Sequence, residues 1–265
     1  MLIATRLKRW MLGLSLVLIG PLMASADGTP TVAAAADLKF ALEEVNTQFK
    51  ADTGEDVRLV FGSSGNFFRQ INEGAPFQLY LSADEGYVQQ LHAAGKTVDE
   101  GALYALGRIV LMVPHGSTLK TDDHLKDLKA ALAEGRIKKF AIANPEHAPY
   151  GLRAEEALKH AGLWDGLKDK LVLGENVVQA AQFATSGNAQ GGIIAYSLAL
   201  APDVSKLGEF ALIPAEWHEP LRQRMVLLKG ANETTQAFYR YVQEPAARNI
   251  MRKYGFVLPN EDKAQ

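Results

Sequence analysis

The sequence predicts an α/β protein of two lobes, with mostly parallel sheets flanked by helices. Short β-like runs alternate with helix-like stretches, which is typical of βαβ units and parallel sheets. There are more such units than one small sheet needs, and 265 residues suffice for one large or two modest domains. No Gly/Ser-rich or Pro-rich linker divides the sequence, so we expect strands at 107–113 and 221–228 to pass between the lobes as a hinge.

The apolar pattern assigns the elements in order along the chain. Leu38, Leu42, Val45 and Phe49 share one helical face, which predicts the first amphipathic helix, and Gly95 is typical of the end of a later one. The predicted strands are 31–36, 57–61, 77–81, 109–113, 140–143, 192–195 and 225–228. The predicted helices are 38–49, one that begins at 66, 85–94, 125–132, 152–160, 177–185, 234–242 and 246–254.

Residues 1–26 have the pattern of a secretory signal peptide. A basic start is followed by an apolar run over 10–19 and by Ala24-Ser25-Ala26, a small-residue cleavage pattern. The run is shorter than the about 20 residues that span a bilayer. We therefore expect a soluble periplasmic protein after cleavage. The predicted lobes of that protein are lobe I, residues 27–108 and 222–265, and lobe II, residues 109–221.

The composition excludes several classes of function. The chain has 28 Lys and Arg against 30 Asp and Glu, and a formal net charge of −2. A nucleic-acid-binding protein would usually show a basic excess. The chain has no cysteine, which rules out a disulfide scaffold, a thiolate zinc site, an iron–sulfur cluster and a cysteine nucleophile.

Enzyme signatures are mostly absent from the sequence. There is no Walker phosphate loop and no Gly-x-Gly-x-x-Gly fingerprint, and the turn at 62–65 lacks the Gly-x-Ser-x-Gly spacing of a hydrolase. The six histidines are scattered without metal-ligand spacing. A hydrolase that uses Ser64 with a distant histidine and acid stays open as an alternative.

Small-residue turns mark four predicted strand-to-helix junctions. They lie at 34–37, 62–66, 145–151 and 175–177. In an open α/β sheet such junctions lie at the carboxyl ends of the strands, where ligands bind. Helix N-termini offer unpaired N–H groups and partial positive charge. Four junctions together predict a site for a small oxyanion.

Seven motifs at and around these junctions carry a resemblance to a known family. They are Ala34-Ala35-Ala36-Asp37-Leu38, Phe61-Gly62-Ser63-Ser64-Gly65, Gln70-Ile71, Gly74-Ala75-Pro76, Leu81-Ser82-Ala83-Asp84, the run 144–151, and Tyr254-Gly255-Phe256. With them the chain resembles the periplasmic molybdate-binding proteins, the soluble receptors of molybdate ABC importers. The resemblance implies the type II periplasmic-binding-protein fold, with a ligand cleft between the two lobes. It also implies capture of molybdate or tungstate and delivery to an inner-membrane permease with its ATPase. We further expect a monomer with no cofactor, enzymatic activity or nucleic-acid partner.

Carried over residue by residue, the resemblance implies five anion-binding positions. Asp37 ends the alanine run, and Ser64 lies in the second turn. Tyr150 and Val177 would donate backbone N–H groups, and Tyr196 its hydroxyl. Molybdenum would be held only through the oxygens of molybdate, without a direct metal ligand. The secondary candidates are Ser63 for a hydroxyl, Asn66 for an amide and Arg153 for a remote positive charge.

Two residues depart from the pattern of the family. Gln78 stands where Asp is frequent, and we interpret it as structural. Asp37 stands where a neutral polar residue is common, and a dry carboxylate would repel a dianion by several kcal/mol. We expect Asp37 to turn out of the cleft as an N-cap. The alternative is that it accepts a hydrogen bond from a protonated oxyanion.

Other functions remain open from the sequence alone. Within the binding class, the ligand could be phosphate, sulfate or a metal ion, because many receptors share the fold. A sensor that hands its ligand to no importer is not distinguished from a transport receptor either, because we identify no motif for the docking surface.

Overall fold

Two five-stranded sheets form the framework of the protein, and helices flank both of them. The computed structural model describes residues 28–259, and the predicted signal segment lies outside this range. Within the described range, no helix combines the length and the apolar character needed to cross a bilayer. The two-lobed α/β fold class predicted from the sequence is confirmed.

The strands are β1 (Thr31–Ala35), β2 (Arg58–Gly62), β3 (Leu79–Ser82), β4 (Ala102–Gly107), β5 (Ile109–Pro114), β6 (Phe140–Ala143), β7 (Leu171–Gly174), β8 (Gly192–Ala195), β9 (Gly208–Leu212) and β10 (Leu221–Leu227). The helices are α1 (Lys39–Thr53), α2 (Ser64–Asn72), α3 (Glu85–Ala93), α4 (Lys126–Ala133), α5 (Pro149–His160), α6 (Trp164–Leu167), α7 (Val177–Thr185), α8 (Tyr196–Ala199), α9 (Pro202–Ser205), α10 (Glu233–Tyr241) and α11 (Pro245–Lys253). Short 3-10 helices cover Ala36–Leu38, Lys168–Lys170 and Ala215–Trp217.

The two sheets have the same design. The strand order is β2-β1-β3-β10-β4 in the first sheet and β7-β6-β8-β5-β9 in the second. In the first sheet β10 runs antiparallel to its neighbours β3 and β4, while β1, β2 and β3 pair in parallel. In the second sheet β5 takes the antiparallel place. Each sheet therefore has four strands in one direction and one against them.

The chain crosses between the sheets twice. The first crossing is the single residue Arg108 between β4 and β5, inside the segment 107–113 that we expected to cross. The second crossing is the connection 213–220 between β9 and β10. The expectation that the strand at 221–228 also crosses between the lobes is wrong, because β10 pairs along its length with β3 and β4 of the first sheet.

The cores of the two lobes meet at the cleft. Leu38, Leu42 and Phe49 pack under the first sheet, and a second core surrounds β5, β6 and β8. Ala35, Ala36 and Ala83 of the first lobe belong to the core of the second. Their small side chains let the lobes approach closely there.

Candidate functional site

A small cavity lies where the lobes meet, at the carboxyl ends of β1, β2, β6 and β7. Its volume is ≈ 10 Å³, far below the roughly 300–1,000 Å³ of sites for drug-sized molecules. The lining residues are Ala35, Ala36, Asp37, Gly62, Ser63, Ser64, Ala83, Ala148, Pro149, Tyr150, Asn176 and Val177. Four of the five predicted anion-binding residues are thus brought together: Asp37, Ser64, Tyr150 and Val177. A cavity of this size leaves room for a compact group and excludes a drug-sized organic molecule.

Three helices begin at this cavity. The first N–H groups of a helix have no partner within it, and their charge favours an anion. In α5, Pro149 has no N–H, so the first N–H of the helix belongs to Tyr150. In α7, the Asn176 side chain accepts hydrogen bonds from Val178 and Gln179, which leaves the N–H of Val177 for another acceptor. The third helix, α2, begins at Ser64.

The Ser64 side chain is oriented as a hydrogen-bond donor. Its Oγ accepts the Ala83 N–H at 3.0 Å, and the residue is 1% exposed. Because a hydroxyl also carries one donor, the Ser64 proton remains for a group in the cavity. His147, the histidine that reaches this turn, pairs with Ser63 Oγ rather than with Ser64, at 2.9 Å from Nδ1.

Asp37 lies inside the site, so the expected outward N-cap is wrong. The residue is 1% exposed, and its Oδ2 accepts hydrogen bonds from Tyr150 Oη at 2.9 Å and Gln223 Nε2 at 2.8 Å. The second oxygen, Oδ1, is buried without a hydrogen-bond partner. Burial raises the pKa of Asp37 to about 6, although the bonds from Gln223 and Tyr150 lower it in part. The cause is that these donors are uncharged and cannot replace the lost hydration.

Gln223 completes this group, and the sequence analysis did not select it. It is fully buried on β10, where it also contacts Tyr150 Oη at 3.0 Å and accepts a hydrogen bond from Tyr104. A Cβ at Gly107 would collide with the Tyr150 hydroxyl, so the glycine makes room for the group. The sequence contained one indication that Gln223 faces the interior. Gln223 stands between the buried apolar Leu221 and Met225 at the same alternate positions of the strand, which places a polar amide on the inner face.

Tyr196, the fifth predicted position, is not among the residues that line the cavity, and its role as a hydroxyl donor stays a prediction. It begins α8 with its N–H bonded to the carbonyl of Arg108. Its ring lies edge-on to Phe210 with centroids 5.8 Å apart, and an added Cβ at Gly255 would meet the ring at 2.6 Å. The ring thus packs against Phe210 and the C-terminal segment.

The secondary candidates contribute to the surroundings of the cavity. Ser63 lines it, but its Oγ caps α2 through the Asn66 N–H. The Asn66 amide donates instead to Glu175 of the other lobe. Arg153 is paired with Glu156 and lies 3.7 Å from Asp84, so its positive charge is compensated by carboxylates. Neither Asn66 nor Arg153 is among the lining residues.

Direct contacts join the lobes beside the cavity. The Gly65 N–H of α2 donates to the His147 carbonyl at 2.9 Å. An added Cβ at Gly65 would lie 2.6 Å from the same carbonyl oxygen. The absence of a side chain at Gly65 is therefore a condition of this closed arrangement.

The family of the chain follows from its comparison with known proteins. Residues 30–257 match the family described as bacterial extracellular solute-binding protein. The chain belongs to this family. Molybdate-binding protein ModA of Rhodobacter capsulatus is 34% identical over 91% of this chain and 93% of its own. The protein of the same name from Azotobacter vinelandii is 36% identical over 86% of this chain and 89% of its own. The resemblance to the molybdate-binding proteins is thus confirmed.

Solved structures also support the assignment of this chain to the solute-binding proteins. The periplasmic molybdate-binding protein of Azotobacter vinelandii superposes with a TM-score of 0.79 at 32% identity, over 87% of this chain and 100% of that one. The sulfate-binding protein SubI of Mycobacterium tuberculosis has a TM-score of 0.72 at 17% identity, over 89% of this chain and 88% of that one. At that identity the second likeness shows the fold alone.

Ser64→Ala should weaken anion binding by this solute-binding protein about ten- to a hundredfold, since a hydrogen bond to a charged acceptor contributes about 1.5–3 kcal/mol. Titration calorimetry with molybdate measures the change. Gln70→Ala, an exposed position on the same helix, serves as the control. An unchanged affinity in Ser64→Ala would show that this hydroxyl does not reach the anion.

Proposed function

We propose that this protein captures molybdate, or tungstate in its place, and delivers it to an inner-membrane ABC permease with its ATPase. The observation that carries the proposal is the convergence of three helix N-termini on one small cavity between the lobes. Uncharged donors from both lobes line it, namely Ser64 of the first lobe and Tyr150 and Val177 of the second. Such donors bind a compact anion without a lysine or arginine at its surface.

The relatives supply the identity of the anion. The curated relatives in Rhodobacter capsulatus, Azotobacter vinelandii and Escherichia coli are all named molybdate-binding protein ModA, at 34%, 36% and 35% identity. The fold alone does not select molybdate, because a sulfate-binding protein shares it. We therefore infer molybdate from these relatives and a compact ligand from the small cavity.

We propose further that the protein acts in the periplasm as a monomer, after removal of residues 1–26, and that it uses no cofactor. The relatives are named for binding rather than for a reaction, and we propose the same for this chain. Among residues 28–259 there is no cluster of three or more His, Cys, Asp or Glu that could hold a metal ion. A receptor for molybdenum as an oxyanion needs no such cluster.

Molybdate and tungstate should raise the melting temperature of the protein far more than sulfate does. A ligand that binds only the folded state, at about 100 times its Kd, stabilises that state by roughly 2.7 kcal/mol. Sulfate is smaller, so its oxygens would not reach the donors of both lobes at once. A thermal-shift series with molybdate, tungstate, sulfate and phosphate tests the ligand. Equal shifts with sulfate and molybdate would contradict it.

A further inference from the structure

The wall of the cavity that contains Asp37 is unusual for an anion site. The other lining groups are backbone N–H donors, hydroxyls and small side chains, whereas Asp37 brings a carboxyl. An ionised carboxyl would repel the oxygens of a dianion in this buried setting. The surroundings of Asp37 therefore decide how an anion can bind here.

The two oxygens of Asp37 have different surroundings. Oδ2 is occupied by Tyr150 Oη and Gln223 Nε2. Oδ1 has no hydrogen-bond partner, although it is buried and its residue lines the cavity. A buried polar atom without a partner is costly. Oδ1 is thus the oxygen left for a group inside the cavity, although the backbone N–H groups of Asp37 and Leu38 also act on the carboxyl and lower its pKa in part.

No cation faces Asp37 from the elements packed around it. Tyr150 of α5 and Tyr104 of β4 are the titratable groups that act on it, and burial raises the pKa of both well above the usual range. Gln223 comes from β10, and Ser197 of α8 bonds only the backbone carbonyl of Asp37. On the opposite wall, His147 is bonded to Ser63. Protonation is therefore the way in which this carboxyl loses its charge beside an anion.

We propose that Asp37 binds the anion as a neutral carboxylic acid and donates a hydrogen bond from Oδ1 to an anion oxygen, so that one proton is taken up with each dianion. This inference rests on the proposed function and adds to it the class of ligand, an oxyanion dianion together with one proton. The proton comes from solvent and returns there on release of the anion. No covalent bond to the anion forms or breaks.

The proposal gives a proton count that depends on pH. With a pKa of about 6, Asp37 in the free protein is about half protonated at pH 6 and almost fully ionised at pH 8. By linkage, uptake should rise from about half a proton per anion at pH 6 to about one at pH 8, and the affinity should fall about 50-fold between them. Molybdate itself is unprotonated over this range.

The test is titration calorimetry of the full protein with molybdate at pH 6 and pH 8, each in two buffers of different ionisation enthalpy. Asp37→Asn keeps an acceptor for Tyr150 and Gln223 and places an N–H₂ donor where Oδ1 lies. We expect this variant to bind molybdate with no proton uptake, with an affinity that does not change with pH, and more tightly than the wild type at pH 8. Asp165→Asn removes the same charge from a side chain that is 93% exposed and should behave as the wild type.

Three outcomes overturn the proposal. Wild-type binding without proton uptake overturns it and leaves molybdate binding intact. If a folded Asp37→Asn loses binding at both pH values, the anion carries the proton and donates it in a hydrogen bond to an ionised Asp37. Absence of molybdate and tungstate binding by the wild type at either pH overturns the proposed function as well. If Asp37→Asn does not fold, the wild-type proton count still decides between uptake and no uptake.

Discussion

Gly65→Ala should weaken molybdate binding by on the order of 100-fold or more while leaving the unliganded protein folded. The added Cβ would lie 2.6 Å from the His147 carbonyl oxygen of the other lobe, a distance that real Cβ contacts do not reach. The lobes would have to stay apart, and donors from opposite lobes could no longer reach one anion together. Loss of even one hydrogen bond to a charged acceptor costs about 1.5–3 kcal/mol.

The same substitution should cost the first lobe little, because its one close contact there, Tyr87 Oη of α3 at 2.9 Å from the added Cβ, is the far end of a side chain that can shift. Gly65 lies in the first turn of α2, and alanine is the better helix former by up to about 1 kcal/mol. Calorimetry with molybdate gives the affinity, and thermal unfolding without ligand gives the stability. Gln70→Ala is again the matched control on α2. An affinity for Gly65→Ala equal to that of the wild type would show that the lobes need not close on the anion.

Asp37→Asn should make the anion-free protein more stable at neutral pH and abolish one component of its pH dependence. The Asp37 pKa is raised from 3.8 to about 6 in the folded protein, so the folded state binds this proton more tightly than the unfolded state does. The contribution of the carboxyl is complete below the unfolded pKa and is lost as the pH rises through about 6. Two pKa units correspond to about 3 kcal/mol.

The measurement is urea unfolding of wild type and variant between about pH 4 and pH 7. The free energy of unfolding of Asp37→Asn, relative to the wild type, should increase by about 2.4 kcal/mol over this interval, most of the difference expected over the full titration. Other carboxyls, such as Glu85 beside Arg222 and Arg224, have lowered pKa values and give the opposite slope, but they cancel in the difference. Asp165→Asn should show no such change. A constant difference between Asp37→Asn and wild type would mean that Asp37 is not buried as described.

Central strands were predictable from the sequence, and three edge strands were not. The β5, β6 and β8 segments are fully buried apolar runs, and the sequence placed all three. The missed strands, β4, β7 and β9, each lie at the edge of a sheet. An edge strand is only half covered, so its residues need not be apolar throughout. Glu209 in β9 shows this, whereas β4 and β7 are mainly apolar and were missed although they have no charged residue.

Some features of the site depend on residues that are neighbours in the sequence, and others depend on contacts between distant residues. The helix N-termini at Ser64, Tyr150 and Val177 were predictable, because a small-residue turn lies within a few residues of each of them. The orientation of Asp37 was not, because it depends on Gln223, which is 186 residues away and on another strand. The packing of the Tyr196 ring on Gly255 of the C-terminal segment was not predictable for the same reason, because no local pattern contains this contact.

We expect the anion to bind in the cavity between the lobes, and anomalous diffraction tests this binding position most directly. Crystals grown with molybdate, measured at the molybdenum absorption edge, locate the molybdenum atom without reference to any expected position. We predict one strong peak in the space enclosed by Asp37, Ser64, Tyr150 and Val177, with one molybdate oxygen at hydrogen-bond distance from Asp37 Oδ1. A fully occupied peak elsewhere on the protein, with this cavity empty, would contradict the account.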